Sequence, residues 1–549
     1  MKKILFVLSL FVALCVGANA QNYTGLLANM DGLTVGEMAN LSQTDFQYGT
    51  ARSMAMSGAL SSLGADATTM GTNPAGLGLY QRSEFTFTPL VTSQKSNNSA
   101  MNYQDNTKTT FSIANAALVS TITSNSYSSG LISLSVGVGY SRLVDLNYNT
   151  SFFQSSLGKG SSIGQYFSDQ LRAGGVSLSQ IQDSGNDIWY DSNINTDIWG
   201  AVLGYKVGLA DWNDDDGWNP GWIGDNADVG HFVTMQSRGS VGEYNVSMGA
   251  NISNKIYIGA SMGIVNLHQE LNVSYSEDYI YPDGESTMGD YQLNYSNYNQ
   301  TVIMNGLGVN FKFGLIYRPV ESFKLAFAVH TPTSISIDRE YQAAASSSVR
   351  INTSTPDDGI YPDSNGNAYF EEYTPIIQDY NEECWSYNTP TRIIVGASYI
   401  IGNRALLSVD YEHDWYNGIR MTSAPTGINL YDYENQANIY LNGSNSLRIG
   451  GEFRVTPAVA LRIGYGFTNS ITSSDNDVAY SPSSPVVEST NFFSAGVGFA
   501  VSKTFNIDLA YMNHTTHYSD FQLFGILGGD LYSLNIVRHN FAVTTSFKW

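Results

Sequence analysis

The chain has 549 residues, including 36 Tyr, 25 Phe and 52 Gly, and only 13% of its residues are charged. Discounting Lys2 and Lys3, which lie in an N-terminal leader, 24 Lys and Arg face 48 Asp and Glu, a net of −24; so acidic a surface excludes nucleic acid as a partner. Beyond the leader no apolar run reaches the roughly 18 residues a membrane helix needs. A membrane-spanning chain of this kind has to be a closed β-barrel, because lipid offers no partner to an open sheet edge. Cys384 is the single cysteine after the leader, so no internal disulfide staples the fold.

The leader itself reads as a signal peptide over 1–20. Lys2 and Lys3 give the basic start, Ile4 to Val16 the apolar stretch, and Ala18-Asn19-Ala20 the cleavage site before Gln21. Cys15 follows Leu14, where lipid attachment wants a small residue, so the chain is not read as a lipoprotein.

Residues 21–80 do not read as barrel. They are rich in Gly, Ala, Ser and Met, with a helical patch over Ser53–Leu63, a turn at Asp66 and a tight Asn73-Pro74 turn opened by glycines. Small residues allow close packing, and the segment is long enough to fold back as a plug in a barrel lumen; the alternative is a flexible tail.

From residue 81 to 549 the signal is period two. Leu447, Ile449, Phe453 and Val455 share one face, with Arg448, Gly450, Glu452 and Arg454 on the other. Phe541, Val543, Phe547 and Trp549 oppose Asn540, Ala542, Ser546 and Lys548. Fourteen such segments are expected, near 83–93, 108–122, 130–146, 231–250, 255–275, 300–318, 323–341, 390–401, 405–415, 445–455, 460–468, 490–501, 504–514 and 535–549. Twelve and sixteen are the alternatives. The fold class is therefore all-β, a transmembrane antiparallel barrel of about fourteen strands with an N-terminal helical plug in its lumen.

Connections are asymmetric. Short turns fall at 251–254, 319–322, 401–404, 456–459 and 502–504, and long polar loops at 147–230, 277–298, 342–388, 415–444, 468–489 and 517–533. Short turns at one end and long loops at the other is the outer-membrane pattern, with the long loops extracellular. The largest loop, 147–230, has helical spacing over Ser161–Ala173 and Asp197–Leu209, with Trp189, Trp199, Trp212, Trp218 and Trp222 among them. Ile163, Phe167, Leu171, Trp189, Trp199 and Leu203 are the expected apolar capture surface; the bland alternative is loop packing over the barrel mouth.

Three segments carry a resemblance: Ala51-Arg52-Ser53-Met54-Ala55-Met56-Ser57-Gly58-Ala59, then Leu63-Gly64-Ala65-Asp66-Ala67, then Thr72-Asn73-Pro74-Ala75-Gly76-Leu77-Gly78. Together with the layout they resemble the FadL/TodX-type outer-membrane transporters of hydrophobic compounds, in the version common among Bacteroidetes-like bacteria. The resemblance implies that 21–80 is a hatch carrying Asn73, Pro74 and Ala75, with the mature N-terminus approaching the ligand pocket. It implies passive transport of hydrophobic small molecules such as long-chain fatty acids, captured by extracellular loops and released when the N-terminal segment and hatch shift. In several members exit is lateral, through a wall gap beside a kinked strand. The terminal strand ending at Trp549 resembles the signal read by the barrel assembly machinery. A monomer in the outer membrane, touching lipid and lipopolysaccharide, is expected, with no cofactor. No pocket residue carries over by motif.

Other signals are weaker. Gly259-Ala260-Ser261-Met262-Gly263 fits G-x-S-x-G but lies mid-strand, without a strand-to-helix elbow. His514 and His517 form an isolated pair. Asp214-Asp215-Asp216 and Asp363-Ser364-Asn365-Gly366-Asn367 crowd oxygens without a closing Glu. No catalytic set and no metal site is expected. The rival readings are an outer-membrane lipid-modifying enzyme, a receptor or adhesin barrel, and an open diffusion porin.

Overall fold

The computed structural model describes residues 32–44, 48–98, 106–123, 130–158, 161–191, 194, 196–215, 217–282, 290–353, 360–379, 384–402, 404–425, 428–472, 485–524 and 532–549, so the signal peptide expected over 1–20 lies outside them. Fourteen antiparallel passes form the wall. They begin with β1 (Glu84–Asn98), β2 (Thr107–Thr123), β3 (Leu131–Asp145, continued by Tyr148–Gly158), β4 (Asp228–Ile252) and β5 (Ile256–Ile280). Next come β6 (Tyr291–Val320), β7 (Phe323–His330, continued by Ser334–Ile351) and β8 (Arg392–Ile401, preceded by Asn367–Tyr373, Ile377–Asp379 and Trp385–Asn388). The last are β9 (Ala405–Trp415, continued by Arg420–Ser423), β10 (Gly443–Thr456), β11 (Val459–Thr468), β12 (Val487–Ala500), β13 (Phe505–Phe521) and β14 (Tyr532–Lys548). The ring closes where β1 pairs with β14, from Glu84↔Lys548 to Asn98↔Leu534.

The alternation explains the wall. Successive strand side chains point to opposite faces. Leu447, Ile449 and Phe453 of β10 are exposed to the outside, while Arg448 and Glu452 are buried inside. The same split sets Leu461, Ile463 and Tyr465 outward on β11 and Phe541, Val543 and Phe547 outward on β14. These rows form the apolar belt that meets lipid, and every wall strand finds its hydrogen bonds in a neighbour.

Two sequence expectations need correction. First, much of the "long loop" chain is strand: Tyr148–Gly158, the part of Ser334–Ile351 beyond 341, and Asn367–Tyr373 all pair in the sheet. β4 and β5 are 25 residues each, about twice what a tilted barrel strand needs to cross a bilayer. Polar Tyr, Ser and Asn alternate there because both faces leave the lipid. Second, the helix expected over Ser53–Leu63 is only Ala51–Ala55. Ser57 and Gly58 take φ of 52° and 76°, which ends the helix in a left-handed turn. The loop helices came out close to expectation, at Ile163–Ala173 (capped by Ser162) and Trp199–Lys206.

Residues 48–80 lie inside the ring and touch it on all sides. Ala51 N–H donates to Thr544 Oγ1 at 2.6 Å, and Ser57 N–H to Ser494 Oγ at 3.1 Å. Ser61 N–H and Oγ donate to the two carboxylate oxygens of Asp410 at 2.8 and 2.6 Å. Arg52 pairs with Glu452 at 3.2 Å, and Met70 lies against the backbone of β3 at Gly137 and Gly139.

Candidate functional site

The Asn73-Pro74-Ala75 turn is seated on the wall. Asn73 caps the 3-10 turn Pro74–Leu79 by accepting from Ala75 N–H at 3.2 Å, and its Nδ2 donates to the Ser61 carbonyl at 2.9 Å. The turn needs flat ground. A Cβ on Gly314 of β6 would collide with Asn73 Oδ1, and one on Gly259 of β5 with the Pro74 carbonyl. Asp66 holds the other half of the plug by accepting from Thr50 Oγ1 at 2.8 Å and Thr68 N–H at 3.0 Å. His330 Nε2 donates to the Thr72 carbonyl at 2.6 Å.

Above the plug runs a continuous buried apolar column. Its lower part is α1 (Val35–Leu41), whose Leu33, Val35, Met38 and Leu41 flank or face the lumen core. The helix is fixed by a capping box, Thr34 with Glu37. Its upper part is the cap over the barrel mouth. Ile163, Phe167, Leu171, Trp189, Trp199 and Leu203 all lie in this same cluster, none more than 9% exposed. The structure thus brings the six sequence-predicted residues together, as buried packing and not as an open face. Phe167 sits edge-on to Tyr298 at 5.2 Å, and Trp189 edge-on to Trp199 at 5.4 Å. Of the other tryptophans, Trp218 donates from Nε1 to the Val176 carbonyl at 2.6 Å, and Trp222 stacks on Tyr291.

The wall parts at one place beside the column. Pairing of β2 with β3 runs from Thr123↔Ser133 only to Asn115↔Ser141, after which β3 bends at Leu146-Asn147 and stays with β4. Gly239 of β4, at φ 143°, allows the bend; its carbonyl receives Leu146 N–H at 3.2 Å. Lys108 of β2 reaches across to the Ser237 carbonyl at 2.7 Å, and Tyr48 of the N-terminal segment forms a backbone bridge with Arg142 from inside. Tyr48 and Arg142 were not singled out from the sequence; nothing in a strand's alternation marks where its neighbour departs.

Solved structures similar in fold to this chain include transporters of hydrophobic compounds. The Pseudomonas putida toluene transporter TodX shares 12% identity over 92% of this chain and 99% of that one, with a TM-score of 0.47. The Ralstonia pickettii toluene transporter TbuX shares 14% over 91% and 98%, TM-score 0.46. A Pseudomonas aeruginosa FadL homologue shares 11% over 91% and 98%, TM-score 0.46. These are channels and transporters, not enzymes. No family model and no curated protein matches the chain.

Beneath the plug the lumen opens into a charged chamber of about 650 Å³, lined by Arg52, Asp66, Glu84, Glu452, Arg462 and Asp508 among others. Arg462 bridges Glu452 at 2.9 Å and Asp508 at 2.5 Å. The remaining sequence signals resolve into structure. Ser261 of the G-x-S-x-G stretch shares hydrogen bonds with Ser247 and Asn245, and Gly259 is there as the seat of Pro74. His514 and His517 stand three apart on β13, hence on opposite faces. Asp363 closes a turn by accepting from Asn365 and Asn367 N–H at 2.8 and 2.9 Å; these amides, that of Asn367 first, hold its carboxyl below the usual range. Among the described residues no His, Cys, Asp and Glu group is placed to hold a metal.

Proposed function

We propose that the chain is a passive outer-membrane transporter of hydrophobic small molecules, with 21–80 as its hatch. The observation that carries this reading is the apolar column, running unbroken from the cap to the plug, with a charged chamber on the plug's far side. Each apolar side chain in the column gains about 1.5–3 kcal/mol by leaving water, so the column is a medium into which an apolar solute partitions. In this structure the chain's own α1 and cap fill it. A ligand entering between Phe167, Trp199 and Leu203 replaces those contacts, and α1 yields its place. The chamber below, dense in ion pairs, opposes an apolar solute. The gap between β2 and β3, closed from inside by Tyr48, leads instead to lipid. Long-chain fatty acids are one candidate cargo. The test is mass spectrometry of molecules that co-purify in a mild detergent. A bound lipid, fatty acid or detergent, released when Leu41 and Met38 are replaced by Asp, supports the reading; a consistently ligand-free protein sinks it.

A further inference from the structure

Just above the Asn73 seat, the lumen holds a small pocket of about 50 Å³, part polar and part apolar, at the foot of the apolar column. Lys312, the next luminal residue beyond Gly314 on β6, is buried there beside Glu243 of β4 and Asn310. Their hydrogen bonds can be counted completely. Lys312 Nζ has three protons, and they go to Glu243 Oε1 at 2.6 Å, Asn310 Oδ1 at 3.0 Å and Asn245 Oδ1 at 3.2 Å. Both protons of Asn310 Nδ2 are used as well, on Glu243 Oε1 at 2.8 Å and Thr333 Oγ1 at 3.0 Å. The other cation lining the pocket, Arg392, turns its Nε to Asp414 at 2.6 Å and Glu412 at 2.9 Å, and its Nη1 donates to the Thr44 carbonyl at 3.5 Å.

Besides the hydroxyls of Thr44 and Tyr387, what remains open is an acceptor. Glu243 is 1% exposed, and its Oε2 has no partner among the protein's own atoms, although the residue lines the pocket. An unpaired buried carboxylate oxygen is costly and takes up any donor that reaches it. Leu41, Val265 and Ile335 form the pocket's apolar side and belong to the column above. Room is reserved for this arrangement: a Cβ on Gly263 would collide with Glu243 Oε1 and stand 2.6 Å from Asn310 Oδ1.

We propose that Glu243 reads the polar end of the cargo, so that the protein takes apolar molecules ending in a neutral hydrogen-bond donor, such as a hydroxyl, in preference to those ending in a carboxylate. The inference rests on the transporter reading above and sharpens its substrate class. A carboxylate would meet Glu243 with no free ammonium proton to offset the repulsion, whereas a hydroxyl gives Oε2 its missing partner while its chain lies in the column.

The experiment compares dodecan-1-ol, dodecanoate and dodecane binding to the full-length protein at pH 8. Dodecanol should bind about ten- to a hundredfold more tightly than dodecane, as a hydrogen bond to a buried charge implies, and dodecanoate no better than dodecane. In Glu243→Gln, Lys312 keeps the side-chain oxygen, so the new NH₂ faces the pocket. The dodecanol preference should vanish and methyl dodecanoate should gain, with dodecane binding unchanged as the check on folding. If that variant fails to fold, Gly263→Ala, which displaces the carboxylate without altering charge, should lose the same preference. Dodecanoate binding as well as dodecanol, or a preference that survives both substitutions, overturns the inference alone. Binding of none of the three overturns the transporter reading with it.

Discussion

Deletion of residues 21–80 should yield a barrel that still folds and conducts ions in planar bilayers, where the full chain should stay closed. Eight-stranded barrels are filled by their own side chains, whereas those of sixteen to eighteen strands leave an aqueous channel; fourteen strands lie near the upper group. The inner wall exposed by the deletion is polar, with Ser494, Asp410, Arg448 and Glu452 all pointing inward, so water and ions wet it. The wall's closure depends on β1 pairing with β14 and not on the plug. A subtler variant, Gly314→Leu, keeps the plug but puts a side chain where Asn73 Oδ1 sits. Overpacking of this kind costs about 1–3 kcal/mol, which predicts brief openings rather than a steady pore. A folded deletion variant with unchanged low conductance would contradict the plug's role.

Phe167→Ala is the second large effect. Its side chain is 1% exposed, faces Tyr298 and presses on the backbone at Gly204. Removing a fully buried Phe costs about 3–5 kcal/mol. The loss falls on the cap, whose helices meet the wall through this cluster, through Glu277, which accepts from Ile163 N–H at 2.7 Å, and through Ser347, whose hydroxyl donates to the Val207 carbonyl at 2.5 Å. Hydrogen exchange over residues 163–206 should accelerate strongly while the wall strands stay protected. Apolar ligand binding should weaken in parallel. Unchanged exchange in the cap would show that Phe167 does not hold it.

Strand positions were legible in the sequence because lipid imposes a strict rule on one face. Leu447, Ile449 and Phe453 alternate with Arg448 and Glu452 for that reason alone. The rule lapses above the membrane, and there Tyr148–Gly158 and Asn367–Tyr373 read as loop although they pair as strands. The plug's turn chemistry was legible at Asn73 and Asp66, whose side chains cap and bridge locally. The Glu243–Lys312 pair was not, since its partners are 69 residues apart and meet only through sheet register. An acidic and a basic residue at luminal positions of nearby strands would have been the signal. The G-x-S-x-G stretch, set aside as a mid-strand match, has a related origin. Its two glycines are spaced by the sheet, one to seat Pro74 and one to make room for Glu243, and not by an active-site turn.

The most direct test of apolar transport is the rate at which a radiolabelled apolar solute enters cells with and without the protein, measured beside a hydrophilic sugar of similar mass. Faster entry of the apolar solute alone, lost on Phe167→Ala, is the predicted result. Equal entry with and without the protein, or a parallel rise for both solutes, would contradict it.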